Sequence, residues 1–354
     1  MDSVLDKFRQ RIHTATLEQS ALCIQGSGSK NWYGKEAIGE IFDTREYCGI
    51  VAYEPTELVI TARCGTPMTE ITAALDRQQQ MFAFEPPNFG IGATIGGVVA
   101  CGLSGPRRAT AGAMRDFVLG ASLMDGRGEV LNFGGQVMKN VAGYDVSRML
   151  AGSMGCLGVL LEVSMKVLPK PFAETTLAFA LSESDALQRM NTWAGQALPI
   201  SASAWQVGRL MLRLSGAEAS VRAAKQKLGG EEVASSDAYW TSIREQKHDF
   251  FAQDEEHGLW RLSLPSTTPA LRLNGKTMIE WGGAQRWLFS DEKAQTIRDL
   301  VKQAGGHVTL FRGGDRSSDV FTPLSLPIEK IHQNLKKNFD PASIFNPGRM
   351  YPDL

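Results

Sequence analysis

The feature that most constrains this chain is an uncharged, glycine-rich segment at residues 86–105, which reads PPNFGIGATIGGVVACGLSG. Glycine at this density either lets the backbone adopt positive φ repeatedly or lets it approach something that side chains would keep away. Two further glycine-bearing segments, at residues 26–29 and 152–158, also lie in the first half of the chain. Three such segments predict one long ligand that is bound along its length.

The size and charge of the chain exclude several classes of protein. A length of 354 residues favours two domains, and 43% hydrophobic residues are enough to form proper cores. The net charge of −1, with no basic run, argues against nucleic acid or an anionic membrane surface as a partner. The sequence has no stretch of about eighteen apolar residues, so it predicts no membrane span. The first twenty residues lack the apolar region of a signal peptide, so we expect a cytoplasmic protein.

The cysteines and histidines give no metal signature. The five cysteines have no CxxC spacing, and the five histidines have no zinc-ligand spacing. We therefore predict small, reduced core cysteines and no metal site. The cysteines are Cys23, Cys48, Cys64, Cys101 and Cys156.

A domain boundary is predicted at Pro169-Lys170-Pro171, where the composition changes. All five cysteines and 22 of the 36 glycines come before it, and six of the seven tryptophans come after it. Prolines restrict the chain and end the preceding strand. The sequence thus indicates a glycine-rich first part and a tryptophan-rich second part.

The first part reads as a mixture of short strands and helices. The helix patterns lie at residues 3–19, 67–79 and 144–151, with Thr66 as the predicted cap of the second and Pro67 at its first position. An Asp-Gly turn at residues 125–128 predicts a hairpin. The strand patterns lie at residues 21–25, 38–42, 57–63, 117–124, 129–133 and 158–168.

The second part predicts a single antiparallel sheet with helices on one face, so the fold class is α+β. The tail pattern at residues 326–338 is helical and ends at Asp340-Pro341. The strand patterns are at residues 175–180, 203–213, 259–264, 277–281 and 308–311. The helix patterns are at residues 183–194, 217–228 and 291–304.

The loop Gly26-Ser27-Gly28 follows a predicted strand and invites comparison with a Rossmann dinucleotide site. It fails that comparison, because Asn31 occupies the position of the third glycine and the residues after it open no helix. Successive N–H groups in such a loop can form an anion-binding nest for phosphate. A plain turn rich in Gly and Ser is the structural alternative.

A second phosphate site is indicated at residues 94–97. Thr94 can begin a helix there, and a helix N-terminus attracts phosphate through its free N–H groups and its dipole. The small or apolar residues 98–102 that follow would suit a flat aromatic ring. The alternative is a helix that packs closely through its small residues.

Several motifs, in the same order along the chain, resemble one family. Residues 152–163, GSMGCLGVLLEV, resemble the GSxGxLGVxTE signature of the FAD-binding domain shared by vanillyl-alcohol oxidase and p-cresol methylhydroxylase (the PCMH type). Residues 26–30, 94–97, 143–145 and 346–349 match the family as well. The resemblance implies FAD as the cofactor. We expect FAD to be bound without a covalent bond, because the loop at residues 26–30 has no histidine to form a link to the flavin.

Within this family the chain is most similar to the FAD-binding E subunits of glycolate oxidase (glycolate dehydrogenase). Four segments carry that similarity, at residues 105–108, 114–120, 133–145 and 345–351. The resemblance implies a complex of two flavin subunits and an iron–sulfur subunit, acting on a small 2-hydroxyacid. The histidine-bearing segment of the D-2-hydroxyacid dehydrogenase relatives has no counterpart in this sequence, which puts an autonomous substrate site in doubt.

The resemblance also implies a domain plan and a set of cofactor contacts. It implies a PCMH-type FAD-binding domain at residues 1–170, a smaller antiparallel cap or interface domain at 171–325, and a tail at 326–354 that returns to the flavin. The implied cofactor contacts are Gly26, Ser27, Gly28, Ser29, Lys30, Pro87, Thr94, Gly96, Gly97, Cys101, Gly102, Gly105, Gly143, Ser153, Gly155, Gly158, Val163 and Asn346.

Four polar residues are candidates for catalysis. Arg107 and Arg108 follow the glycine cluster and can bind a phosphate or a substrate carboxylate, or be solvated surface arginines. His307 and Arg312 lie on a predicted strand of the second part and can face a flavin, or be structural.

Two functions remain open for the chain. In one it oxidises glycolate or another 2-hydroxyacid through its flavin and passes electrons to an iron–sulfur partner or a quinone. In the other it is a non-catalytic FAD relay or structural subunit of the same complex. Bleaching of the chain's flavin by anaerobic glycolate would separate the two.

A third function, that of a reductase acting on a nucleotide sugar, finds no support in the sequence of the second part. The complex is expected in the cytoplasm or at the inner face of the membrane through its partners.

Overall fold

The computed structural model describes residues 2–135, 145–252, 258–317 and 319–354. The first part contains two small sheets and one larger sheet. Its elements are α1 (Asp2–Glu18), β1 (Leu22–Gln25), β2 (Glu40–Asp43), β3 (Ile50–Glu54), β4 (Val59–Arg63), α2 (Met68–Arg77), β5 (Gln80–Met81), α3 (Ile95–Cys101), α4 (Arg108–Ala111), β6 (Val118–Met124), β7 (Val130–Gly134), α5 (Val146–Met149), β8 (Val159–Lys166) and β9 (Leu168–Pro169).

The second part contains one large sheet, and the chain ends in a helix and an irregular tail. The elements are β10 (Ala173–Ala180), α6 (Glu183–Ala194), β11 (Ile200–Gln206), β12 (Arg209–Gly216), α7 (Glu218–Leu228), β13 (Glu231–Glu232), α8 (Asp237–Arg244), β14 (Gly258–Ser263), β15 (Lys276–Glu280), β16 (Gln285–Ser290), α9 (Ala294–Gln303), β17 (His307–Arg312) and α10 (Leu326–Phe339).

The core of the first part lies on a five-stranded antiparallel sheet with the order β3-β4-β8-β6-β7. β8 is almost wholly buried, which explains its continuous apolar sequence. α2 packs against the sheet through Met68, Ile71 and Leu75, which are spaced for one helical face. α3 is buried in the same core. β1 and β2 form a separate parallel pair under α1.

The predicted cap of α2 is wrong by one position. Pro67, not Thr66, is the N-cap residue of this helix. The Thr66 hydroxyl instead donates to the Arg63 carbonyl at 2.6 Å and accepts from the Gly49 N–H at 2.8 Å. Thr66 therefore closes the preceding turn and does not cap the helix.

The second part is one eight-stranded sheet with the order β13-β10-β12-β11-β15-β16-β14-β17, and its strand pairs are antiparallel. The single strand predicted at residues 203–213 is wrong, because β11 and β12 form a hairpin there. Val207 and Gly208 at the turn have φ values of 44° and 75°. Positive φ at both central residues is typical of a type I′ turn. Valine is unusual at such a position, so the sequence hides the turn.

Helices cover both faces of this sheet. α6, α7 and α9 pack on one face, as the sequence predicts. α8 was not predicted, and its Trp240 packs against Ala178, Ala204 and Met211 on the other face. That second face, called the inner face here, also carries Trp287 and Phe311, which contact the first part. The prediction of helices on one face is therefore corrected, and the inner face is the one that meets the first part.

A buried ion-pair network joins the two parts. Arg213 on the inner face contacts Glu85 of the first part at 2.8 Å, and Arg107 contacts Glu174 at 2.7 Å. Arg107 also lies 3.4 Å from Glu85 and donates to the Ser215 hydroxyl at 3.1 Å. The network fixes how the second part sits on the first.

The cysteines are all free thiols, as predicted for reduced residues. Cys23, Cys64 and Cys156 are buried and Cys101 is half-buried. Cys48 is exposed, which corrects the prediction that every cysteine lies in a core. No helix in the described ranges is long and apolar enough to cross a membrane.

Candidate functional site

A cleft of about 770 Å³ lies where the first part meets the tail. This first cleft is bordered by the loop after β1, the start of α3, the loop before β8 and the tail that follows α10. These are the three glycine-bearing segments of the sequence, together with the C-terminal motif. The fold therefore brings segments more than 300 positions apart in the chain to one elongated groove.

The loop after β1 presents unused backbone donors to the first cleft. The N–H groups of Ser27, Gly28 and Lys30 have no protein acceptor in the described part of the chain. Gly28 has a φ of 77°, which turns the loop so that successive amides can point to one side. Successive amide donors in a concave loop form a site for an anion such as a phosphate.

The first N–H groups of α3 were predicted to be free for a phosphate, but most of them are already bonded within the protein. A helix begins in this segment, as predicted; Thr94 is its N-cap residue, and the Thr94 hydroxyl accepts from the Gly97 N–H at 3.2 Å. The Ile95 and Gly96 N–H groups bond to the carbonyls of Thr66 and Cys64. The first amides of this helix are thus already used, so the loop after β1 is the better source of free donors.

Two adjacent glycines of α3 have opposite surroundings. A Cβ on Gly96 would lie 2.7 Å from both the Cβ and the carbonyl oxygen of Cys64, so glycine is required there for packing. A Cβ on Gly97 would meet only the Thr94 hydroxyl, at 3.3 Å. Gly97 lines the first cleft. A side chain at position 97 would therefore enter the space of the cleft and would not collide with the core.

Two buried cations line the first cleft without a carboxylate partner. Lys30 is 6% exposed and Arg349 is 7% exposed, and neither forms an ion pair with any described residue. The Lys30 ammonium donates to the Asn88 carbonyl at 3.2 Å, and burial lowers the pKa of this amine. Arg349 uses one nitrogen for the carbonyls of Asn31 and Tyr33. An anionic ligand would supply the missing negative charge.

The tail is fastened to the first cleft by Asn346. Its side-chain oxygen accepts from the Ile24 N–H at 2.8 Å, and its side-chain nitrogen donates to the Met154 carbonyl at 2.6 Å. Asn346 therefore links β1 to the loop before β8. A Cβ on Gly155 would lie 2.6 Å from the same amide nitrogen, which explains the glycine at 155.

A second, wider cleft of about 1940 Å³ lies between the first part, the inner face of the large sheet and the tail. Cys101 and Met154 line both clefts, so the two spaces meet at these residues. A long ligand in the first cleft can therefore present one end to the second. A third, smaller cavity of about 320 Å³ lies under α8.

Most of the predicted cofactor contacts come together around the first cleft. Those that line it are Gly26, Ser27, Gly28, Ser29, Lys30, Thr94, Gly96, Gly97, Cys101, Gly155, Gly158 and Asn346. Gly102 lines the second cleft, and Pro87 and Gly105 line the third cavity. Ser153 lines none of these spaces, and Val163 is a core residue of β8. Gly143, with the motif around it, falls outside the described residues.

The four catalytic candidates separate into two pairs. Arg108 and His307 line the second cleft, although 199 positions separate them in the sequence. Arg107 is held in the ion-pair network between the two parts and lines neither cleft. The guanidinium of Arg312 stacks 4.4 Å above the Trp32 ring and donates to Gln246, also outside both clefts.

The arginines of these clefts that were not predicted from the sequence include Arg349 and Arg261. Arg349 belongs to the C-terminal motif that was recognised, but its charge was not assigned to the ligand. Arg261 lies on β14 and lines the second cleft. Its only local signal is its alternation with the buried Trp260 and Leu262 along the strand, which predicts a residue on the opposite face.

Comparison with known proteins defines the class first. A family model described as an FAD binding domain matches residues 6–134. The solved structure of an alkyldihydroxyacetonephosphate synthase superposes with a TM-score of 0.65 at 14% identity, covering 96% of this chain and 74% of that one. The fold is therefore the PCMH-type FAD-binding fold, with an antiparallel α+β second part.

Similarity along the whole chain then defines the family. The chain is 49% identical over 345 residues to glycolate oxidase subunit GlcE of Escherichia coli (strain K12), covering 98% of this chain and 97% of that protein. It is 32% identical over 177 residues to a D-lactate dehydrogenase of Archaeoglobus fulgidus, covering 48% of this chain and 39% of that enzyme. The chain belongs to the GlcE family of flavoprotein subunits.

Proposed function

We propose that this chain is the FAD-binding subunit of a glycolate or related 2-hydroxyacid oxidase, in which the substrate is oxidised to the 2-oxoacid. The observation that carries the proposal is the chemistry of the first cleft. It combines unused amide donors at Ser27, Gly28 and Lys30 with two buried cations, Lys30 and Arg349, that have no carboxylate partner among the described residues. A dinucleotide cofactor with a diphosphate fits that donor set.

The cofactor contacts proposed for this chain follow from the lining of the first cleft. The loop 26–30 and Arg349 would bind the diphosphate, and Gly97 would allow close approach of the cofactor to α3. The flavin ring would lie near Cys101 and Met154, where the first cleft meets the second. The absence of histidine from the loop 26–30 supports a non-covalent cofactor.

The proposed domain plan has three parts. Residues 1–170 would form the FAD-binding domain, residues 171–325 the cap or subunit-interface domain, and residues 326–354 the tail that returns to the cofactor. The change from the five-stranded to the eight-stranded sheet around residue 170 supports the first boundary. The contact of Asn346 with β1 supports the return of the tail.

When bound, FAD would supply the two-electron redox chemistry, as the acceptor for the hydride of the substrate α-carbon. The protein positions the two molecules at the junction of the clefts. The relative in Escherichia coli is one subunit of a glycolate oxidase, which supports an assembly of several chains. The proposed partners are a sister FAD subunit and an iron–sulfur subunit, or a quinone as acceptor. The assembly would work in the cytoplasm or at the inner face of the membrane.

The other candidate is a non-catalytic FAD relay or structural subunit of the same complex. Reconstitution tests the proposed subunit function. We expect the purified, flavin-containing chain to turn over glycolate slowly or not at all with an artificial acceptor, and the reconstituted complex to turn it over readily. If the chain alone were as active as the complex, the chain would be a self-sufficient dehydrogenase and the subunit proposal would be wrong.

A further inference from the structure

The second cleft has an unbalanced charge. Within the described ranges its lining includes Arg108, Arg115, Arg261 and His307, but no aspartate or glutamate. Arg115 is exposed at the rim and lies 3.9 Å from Asp116, so it behaves as a surface arginine. Arg108 and Arg261 are half-buried and have no ion pair with any described residue. Unpaired arginines that line a cleft are available to bind an anionic ligand.

Two members of this cluster are held side by side by the sheet. Arg261 on β14 pairs with Thr309 on β17, and Ser263 pairs with His307. Arg261 and His307 are therefore diagonal neighbours on the inner face, about 7–8 Å apart at the backbone. The pleat directs both side chains into the second cleft, which Thr309 also lines.

Arg108 comes from the first part and completes the cluster from the opposite side. Its guanidinium lies 4.5 Å above the ring of Trp281, and the Trp281 indole donates to the Gly105 carbonyl at 3.0 Å. This contact positions the guanidinium, and its N–H groups have no acceptor among the residues described. Arg261 uses one nitrogen, which donates to the Tyr33 hydroxyl at 3.1 Å.

The electrostatics of the cluster agree with a missing anion. Burial, followed by repulsion from Arg115 and Arg261, lowers the pKa of Arg108. Desolvation, followed by the charges of Arg261 and Arg108, lowers the pKa of His307 and so favours its neutral form. A bound anion would relieve the repulsion between the arginines, and a neutral imidazole could accept a hydrogen bond from a hydroxyl.

We propose that Arg108 and Arg261 bind the carboxylate of a small 2-hydroxyacid in the second cleft, with His307 beside its hydroxyl group. The proposal rests on the proposed function, because it assumes FAD in the first cleft. Guanidinium groups suit a carboxylate, since their planar N–H donors match its two oxygens. The cluster lines the same cleft as Cys101 and Met154, where the two clefts meet. Such a site would place substrate beside the flavin of this chain, so anaerobic glycolate should bleach that flavin even where steady turnover needs the partner subunits.

The test is an oxalate titration of the flavin-containing chain. Oxalate is a two-carbon carboxylate without a hydrogen to lose, so it reports binding without turnover. We expect a saturable change in the flavin absorption spectrum. Arg108→Met and Arg261→Met should each weaken oxalate binding about tenfold or more, as expected when a charged partner is truncated. The matched control Arg222→Met should change it less than about twofold, since Arg222 is exposed on α7 and lines neither cleft.

A conservative variant, a second anion and calorimetry make the test decisive. Arg108→Lys retains the charge but loses the planar donor pair, so it should fall between the parent and Arg108→Met. If Arg261→Met does not fold, the Arg108 variants alone decide. Unchanged oxalate affinity in Arg108→Met, or sulfate binding as tight as oxalate binding, overturns the carboxylate site. A preparation without flavin contradicts the proposed function instead, and calorimetry with oxalate on the same variants then still tests the anion site.

Discussion

The role of a glycine is decided by what a side chain at its position would meet. Gly96 and Gly97 are neighbours in one motif, and the sequence treats them alike. The structure separates them, because position 96 faces the backbone of Cys64 while position 97 faces the first cleft. Substitution at Gly96 would disturb folding, whereas substitution at Gly97 would remove space from the cofactor.

We therefore predict that Gly97→Val folds but loses most of its flavin. The valine side chain would project into the first cleft, where the cofactor is proposed to lie against α3. The measurement is the ratio of flavin absorbance to protein absorbance after purification, with circular dichroism as the check on folding. Gly195→Val is the matched control, because Gly195 is exposed with a φ of −80° and lies far from both clefts. A folded Gly97→Val protein with full flavin content would show that the assigned contact is wrong.

At the scale of elements, α10 holds the tail through one buried lysine. The Lys336 ammonium lies 2.8 Å from the Asp340 carboxylate and donates to the carbonyls of Cys156 and Phe345. Asp340 in turn accepts the N–H of Phe345 at 2.8 Å. This one ion pair thus connects the end of α10, the tail and the loop before β8.

We predict that Lys336→Met lowers the free energy of unfolding by about 3–5 kcal/mol, because it leaves the Asp340 charge buried and unpaired. Urea denaturation at neutral pH measures the loss. Lys337→Met is the matched control, since Lys337 is the next residue of the same helix and is exposed. Equal stability of the two variants would mean that the buried pair does not secure the tail.

Local signals decided which elements could be predicted from the sequence. α6 was predicted correctly, because its apolar spacing is regular and Ser182 caps it by accepting the Asp185 N–H. The hairpin at Val207 was missed, since its turn uses a residue that does not favour positive φ. α8 and β16 were also missed, because their packing partners are remote in the sequence.

The same contrast between local sequence signals and long-range contacts applies to the candidate site. The glycine segments of the first cleft have recognisable motifs, so their convergence could be predicted from the sequence. The sequence could not predict that Arg108 and Arg261 line the same cleft. That arrangement depends on the pairing of β14 with β17 and on the docking of the large sheet against the first part. A lone arginine on a strand has no motif to identify it.

At the scale of the whole molecule, the second cleft depends on how the second part sits on the first. Glu85 is central to that contact, since its carboxylate accepts two hydrogen bonds from Arg213, at 2.8 and 2.9 Å. Burial alone would raise the pKa of Glu85, but Arg213 and Arg107 outweigh it and hold this pKa below its ordinary value. A carboxylate with a depressed pKa in the folded state contributes stability above its ordinary pKa, and that contribution is lost as the pH falls.

We predict that Glu85→Gln lowers the free energy of unfolding by about 3 kcal/mol at pH 7, because Arg213 loses its buried partner. The difference from the parent should shrink as the pH falls below about 4.3, the ordinary pKa of a glutamate. Urea denaturation across this pH range measures it, with the exposed Glu231→Gln as control. A constant difference at all pH values would contradict the charge assignment.

The central claim is that this chain binds FAD without a covalent bond. The most direct measurement is acid precipitation of the purified chain, followed by identification and counting of the flavin in the supernatant and in the pellet. The account predicts one FAD per chain, released into the supernatant. A flavin that stays with the precipitated protein would contradict the non-covalent assignment, and a chain that contains no flavin after purification and gains none from added FAD would contradict the account as a whole.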